Sequence, residues 1–378
     1  MMPVRSAGTV LLAFLSACSA GERRTLPENP LGRFFTPPEE FRGDLGSYRP
    51  VLRFPDGRPV RSAAEWPERR REIRTKWEAM LGPMPPPIEN PELVVIEKER
   101  AEGFTRHRVR IELSSEHKNV AYLLVPEGKG PFPAVMTVFY GPEEGAGLKP
   151  EARQRTDLGY QLSKRGFVSL NLGLPREPSS YPPTEGRTNL QPLAFLAHVA
   201  GNARRALARI PDVDPERIGL FGHSMGGKWS LFAAAFDEKF AAVCVSDPGI
   251  VFDETRPNVN YWEPWYLGFE AGRPPRKRGI ITADNPTTGP YRRLVEAGDD
   301  LHEIHALIAP RPFFVSAGSE DPPSRWKALN HLVAVNDLLG KGARVGMANR
   351  PKHPISPEAN EQICLFFEHF LGPTAPGH

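Results

Sequence analysis

Residues 222–226 read Gly-His-Ser-Met-Gly, a G-x-S-x-G pattern. A serine hydroxyl is a weak nucleophile until a base takes its proton, and that base must be a histidine held by a carboxylate. The turn carrying the serine must be tight enough to expose Oγ. This asks for small residues two before and two after it, and Gly222 and Gly226 stand there. The strand-like RIGLFG (217–222) precedes Ser224 and a helical stretch follows, which is the context the motif needs. His353, in NRPKHPIS, lies between the last strand-like and last helical stretches, where the base of a Ser…Asp…His order falls. His223 belongs to the turn itself, and His302, His305 and His369 lie in helical runs. Two aspartates can serve as the acid. Asp321 ends SAGSED directly after a strand and is the first choice; Asp247, in VSDPG, follows the strand before it. Glu320 ranks third.

The developing negative charge on an attacked carbonyl needs donors. The Met225 N–H is one candidate. The other comes from the loop after FPAVMTVFYG (132–141): the N–H of Tyr140 or Gly141, or the Tyr140 hydroxyl, since Pro142 has no N–H to give.

Apolar runs and turn residues place strands at 93–98, 106–113, 119–125, 132–141, 166–174, 217–222, 240–249, 310–321 and 344–353. Helices are expected at about 150–165 and 190–209, after Ser224, and at 357–371. Strands alternating with helices mean an α/β fold with a mainly parallel central sheet flanked by helices, and ligands bind at the C-terminal ends of such strands. Ser224, Asp247, Asp321 and His353 all fall there. Ahead of the sheet, Ser62-Ala63-Ala64-Glu65 has the capping-box pattern. It opens a helix in which Trp66, Ile73, Trp77, Met80 and Leu81 share a face and which Gly82-Pro83 ends. The basic run ERRREIRTK (68–76) reads as its solvated face. Tyr261, Trp262, Trp265, Tyr266 and Phe269 crowd the stretch 256–272. They either stack on a ligand or pin a long loop, whereas Trp229 reads as core.

The chain has 378 residues and a formal charge of +3, too small for a dedicated nucleic-acid surface. Its 42 prolines are about twice the usual share of roughly 5%, and they fall between apolar runs as in long ordered loops. Residues 1–17 carry Arg5 and then an apolar stretch too short to span a bilayer, the pattern of a signal peptide. That stretch ends in Leu15-Ser16-Ala17-Cys18, which resembles the bacterial lipobox; the resemblance implies acylation of Cys18. The expected product is an exported lipoprotein facing the periplasm or the cell exterior, touching a membrane only through that anchor. Residues 18–61 read as tether and extended lead-in, 62–91 as a helix and Pro-rich link packed on the core, and 92–372 as the catalytic domain. Cys244 and Cys364 sit in apolar runs and read as buried thiols; no cysteine–histidine cluster has zinc-ligand spacing, and no metal or other cofactor is expected.

The elbow at Ser224, the FYG strand end, the two aspartates and His353 resemble an α/β-hydrolase over residues 92–371. Within that superfamily, DDLHEIHALIAPRPFFVSAGSED and the lead-in WPERRREIRTKW…LGPMP are similar to the carbohydrate esterases of the glucuronoyl esterase and acetyl xylan esterase-like group. Glucuronoyl esterases carry G-x-S-R-x-G-K at the elbow. Lys228 matches the lysine, which the resemblance implies contacts sugar hydroxyls, and Met225 replaces an arginine that helps hold the oxyanion. Some members place the acid where Asp247 stands. The resemblance implies a serine esterase on acetyl or uronoyl esters of polysaccharide; if the aromatic stretch stacks on a ligand, Trp262 and Trp265 are the candidate sugar contacts. A prolyl-oligopeptidase-like peptidase and a catalytically inert glycan-binding lipoprotein are the other readings.

Overall fold

A computed structural model describes residues 30–175 and 189–372. The lipobox with Cys18 and the leader 1–17 lie outside the described residues.

Among the described residues nine strands form one sheet: β1 Leu93–Ala101, β2 Phe104–Ser114, β3 His117–Pro126, β4 Phe132–Val138, β5 Val168–Leu172, β6 Val213–His223, β7 Ala242–Ser246, β8 Phe313–Ala317 and β9 Val345–Asn349. Their order is β1-β2-β3-β5-β4-β6-β7-β8-β9. β1, β2 and β3 pair antiparallel, β3 meets β5 antiparallel, and every pairing from β5 to β9 is parallel. The parallel strands β5, β7 and β8 are buried along their whole length, as a sheet covered on both faces requires. At the edge, β1 exposes Glu97, Lys98, Glu99 and Arg100, which blunts it against pairing with other chains.

The helices are α1 Trp66–Leu81, α2 Pro142–Gly145, α3 Leu158–Ser163, α4 Pro192–Leu207, α5 Met225–Phe236, α6 Gly289–Ala297, α7 His302–Ala306, α8 Trp326–Leu338 and α9 Pro357–Leu371. Neighbouring strand residues face opposite layers. Leu220, Val243, Val245 and Val315 pack with α1, α4, α5, α7 and α8. Phe221, Cys244 and Phe314 pack with α3, α9 and Phe35 of the lead-in. Cys244 and Cys364 are buried free thiols. The single helix expected at 150–165 is instead a short 3₁₀ turn, Pro150–Ala152, followed by α3, and α6 and α8 fall where no element was expected.

The entry to α1 keeps half of the capping box. The Glu65 carboxylate accepts from the Ser62 N–H at 3.1 Å and the Arg61 N–H at 2.8 Å, while the Ser62 hydroxyl turns back to Glu65. Trp66, Ile73, Trp77 and Leu81 enter the main core, each such burial contributing roughly 1.5–3 kcal/mol. The basic face of α1 is not simply solvated. Arg69 is buried and donates to Val51 O at 3.0 Å, Arg70 donates to Leu307 O at 2.8 Å, and Lys76 meets Glu303 at 2.6 Å and Asp299 at 2.8 Å. The cations sit there because the last carbonyls of a helix (here α7) and two buried carboxylates offer them acceptors.

Candidate active site

The parallel pairings bring the strand ends to one level: Val138 opposite Gly222, His223 opposite Ser246, Ser246 opposite Ser316 and Ala317 opposite Asn349. The loops after β4, β6, β7, β8 and β9 therefore open on the same edge. They carry Tyr140, Ser224, Asp247, Asp321 and His353.

Ser224 stands between β6 and α5 with φ +54° and ψ −115°, a conformation side chains rarely adopt. The two flanking glycines make it possible. A Cβ on Gly222 would lie 2.0 Å from Gly226 O, and a Cβ on Gly226 would lie 2.0 Å from Val138 O. The turn is held from below by Ser224 N–H donating to Ser246 O at 2.8 Å. Ser224 Oγ lies 2.9 Å from His353 Nε2, and His353 Nδ1 lies 2.8 Å from Asp247 Oδ2. His353 is part-buried and Asp247 is fully buried.

The acid facing the histidine is thus Asp247, which corrects the preference for Asp321. Both aspartates follow parallel strands, and their loops clasp each other. Asp247 Oδ1 accepts the N–H groups of Gly318 at 2.6 Å, Asp321 at 3.0 Å and Glu320 at 3.1 Å. Asp321 returns the gesture, accepting from Gly249 at 3.0 Å and Ile250 at 2.6 Å. Only Asp247 then has an oxygen turned to His353. Burial pushes Asp247 up, but the bonds from His353 and the Gly318 N–H outweigh it and hold the carboxyl below its usual range. Burial and the neighbouring Asp247 charge push Asp321 up to about 6. Glu320, ranked last from sequence, does come near: its carboxylate, that of Asp247 and a His353 nitrogen all lie within 4.8 Å of one another. Ser319 Oγ and Asn258 Nδ2 donate to it at 3.0 and 3.2 Å.

The Met225 N–H lies in the first turn of α5, where helix donors lack an intrahelical acceptor. The end of β4 lies against the elbow at Val138, so Tyr140 and Gly141 follow directly beside it. Tyr140 is 58% exposed. Its phenol is raised by partial burial, with the Arg278 guanidinium pulling the other way.

Two of the three expected sugar contacts are buried. Lys228 is 2% exposed; its ammonium donates to Pro248 O at 2.7 Å and Asn258 O at 2.9 Å under the rings of Tyr261 and Tyr266. It braces the loops after β7. Burial brings its pKa down to about 8. Trp262 is 1% exposed and donates to Gly279 O at 2.9 Å, pinning the insertion. The aromatic cluster has become the core of that insertion because its turns supply no helix or strand to fill. Trp265 is half-buried, with the exposed Arg278 guanidinium 5.9 Å from its ring centre. Trp229 is core, as expected, donating to Leu196 O at 2.6 Å.

No family model matches the chain. Among curated proteins it is 32% identical over 154 residues to the polyketide transferase ATR5 of Stachybotrys chlorohalonatus, a match covering 38% of the chain. The chain spans about half (51%) of the length of that relative. Solved structures align far more fully. A glucuronoyl esterase from Solibacter usitatus superposes with a TM-score of 0.66 at 21% identity, covering 86% of this chain and 98% of that one. The chain has the α/β-hydrolase fold. A promiscuous CE15 esterase from a marine bacterial metagenome gives 0.62 at 18% identity, with 86% and 97% covered. A CE15 glucuronoyl esterase from Caldicellulosiruptor kristjansonii gives 0.60 at 18%, with 88% and 95% covered.

Proposed function

We propose that the protein is an exported serine esterase that cleaves acetyl or glucuronoyl esters on polysaccharide. The observation that carries this reading is the unbroken relay from Ser224 Oγ through His353 to Asp247 at a strained elbow. Ser224 attacks the ester carbonyl while His353 Nε2 takes its proton. Asp247 holds the Nδ1–H tautomer and balances the imidazolium that forms. The oxyanion settles on the Met225 N–H and a donor of the Tyr140–Gly141 loop. His353 returns its proton to the leaving alcohol, and an acyl-enzyme remains on Ser224. Water, deprotonated by His353, then releases the acid. Likeness to carbohydrate esterases supports the substrate class. The lipobox supports anchoring through Cys18.

The test is hydrolysis of an acetylated xylan fragment, a glucuronate alkyl ester, a simple aryl acetate and a proline-containing peptide by the mature protein and by Ser224→Ala. Ester turnover that disappears in the variant supports the reading. Turnover of the peptide alone, or intact binding of glycan without turnover, counts against it.

A further inference from the structure

His353 sits on a loop, yet a base must stay within a fraction of an ångström of its nucleophile. One side chain accounts for how it is held. Arg350, three residues earlier, points its half-buried guanidinium back under the loop. Nε donates to Pro354 O at 2.8 Å and Nη2 to His353 O. Nη1 donates to Ser316 O at 2.7 Å and Ser316 Oγ at 3.1 Å at the end of β8. Nη2 also reaches Ser246 Oγ, at the end of β7, at 3.1 Å. One planar fork thus ties the carbonyls of the base and its successor to two core strands. An ammonium has neither the span nor the fixed directions to do this.

The contact continues past the guanidinium. Ser246 Oγ lies 3.0 Å from His223 Nδ1, and the His223 ring lies 4.7 Å from that of His353, centre to centre, at 36°. Burial, with the neighbouring His353 and Arg350, brings His223 down to about 3, so it packs on the base as a neutral ring. We infer that Arg350, with Ser246 and His223, is the positioning network of the catalytic base: the guanidinium fixes the backbone of His353, and His223 fixes one face of its ring. This rests on the esterase reading above.

The test compares wild type, Arg350→Ala, Arg350→Lys and Ser246→Ala on an aryl acetate, with ethylguanidinium or ethylammonium added, and thermal melting as a control. Because the network acts on placement and not on substrate, kcat of Arg350→Ala falls about a hundredfold with KM unchanged. Ethylguanidinium restores at least a tenth of the lost rate and ethylammonium does not; Arg350→Lys stays impaired. Ser246→Ala, a small change, loses a few-fold in kcat and serves if Arg350→Ala does not fold. A readout independent of turnover is the low-field proton NMR signal of His353 Nδ1–H on Asp247, sharp in wild type and broadened in the Arg350 variants. Folded Arg350 variants with wild-type kcat and an unchanged signal overturn the inference, as does equal rescue by both amines. Absence of turnover in wild type itself counts against the esterase reading, and the NMR comparison still decides the network.

Discussion

Exchanging each of the two buried aspartates for asparagine separates their roles. At Asp247 the outcome follows from which oxygen is engaged. Oδ1 receives three N–H groups, from Gly318, Glu320 and Asp321, so an asparagine there must keep its carbonyl oxygen on that side. Its NH₂ then takes the place of Oδ2, 2.8 Å from His353 Nδ1. A donor now faces Nδ1, the ring shifts its proton to Nε2, and Nε2 can no longer accept from Ser224. Such a tautomer error in a hydrolytic triad costs about 10⁴ in kcat, or about 5.5 kcal/mol of transition-state stabilisation. The backbone clasp survives, so melting changes little. At Asp321 both oxygens are occupied by N–H groups, from Gly249 and Ile250. An asparagine sets a donor against one of them, costing about 1–3 kcal/mol of stability, while kcat falls less than tenfold. The assay is kcat and KM on an aryl acetate, with thermal melts of both variants. An inactive, fully stable Asp321→Asn beside an Asp247→Asn within tenfold of wild type would refute the assignment.

Gly226→Ala places a methyl carbon 2.0 Å from Val138 O; stability is expected to fall by about 3 kcal/mol, read as lost soluble yield or a lowered melting temperature. Ser224→Gly removes the side chain that is forced to positive φ, and a gain of about 1 kcal/mol in stability together with complete loss of turnover is expected in melts and assays. Glu303→Ala leaves Lys76 with Asp299 alone and strands the Trp77 Nε1–H, which donates to Glu303 at 2.8 Å. Since Lys76 keeps partial access to water, the expected loss is about 2 kcal/mol in denaturant titration. Burial holds His302 and His305 at about 3, so between about pH 6.5 and 3 the unfolded chain binds protons there that the folded chain does not. Their contribution is present above pH 6.5 and lost as pH falls. Asp300, raised by burial to about 7, runs the other way: its contribution is present below the unfolded carboxylate range and lost as pH rises through 7. His305→Phe removes one histidine term, about 2 kcal/mol at pH 5, and flattens the acid side of a melting-temperature profile; an unchanged slope between pH 7.5 and 5 would contradict this.

Much of the site was legible in the linear chain. Gly222, Ser224 and Gly226 declare the elbow because a strained turn between strand and helix tolerates few other residues. His353 was readable from its place before the last helix, and the buried parallel strands from their apolar runs. These are local signals, set by backbone sterics and by hydrophobic period. The choice between Asp247 and Asp321 was not local. Each follows a strand, each is an aspartate, and only the mutual clasp of their loops decides which one has an oxygen left for the histidine. Lys228 and Trp262 looked like ligand contacts because chemistry in sequence carries no depth; the insertion folds over one and around the other. Arg350 gave no sign at all, since a cation in a loop acquires meaning only from the carbonyls that converge on it. Sequence pointed to Ser224, His353 and the sheet. Tertiary structure singled out Asp247 as the partner of His353 and brought Arg350 under its loop, because both depend on hydrogen bonds between segments some seventy to a hundred residues apart.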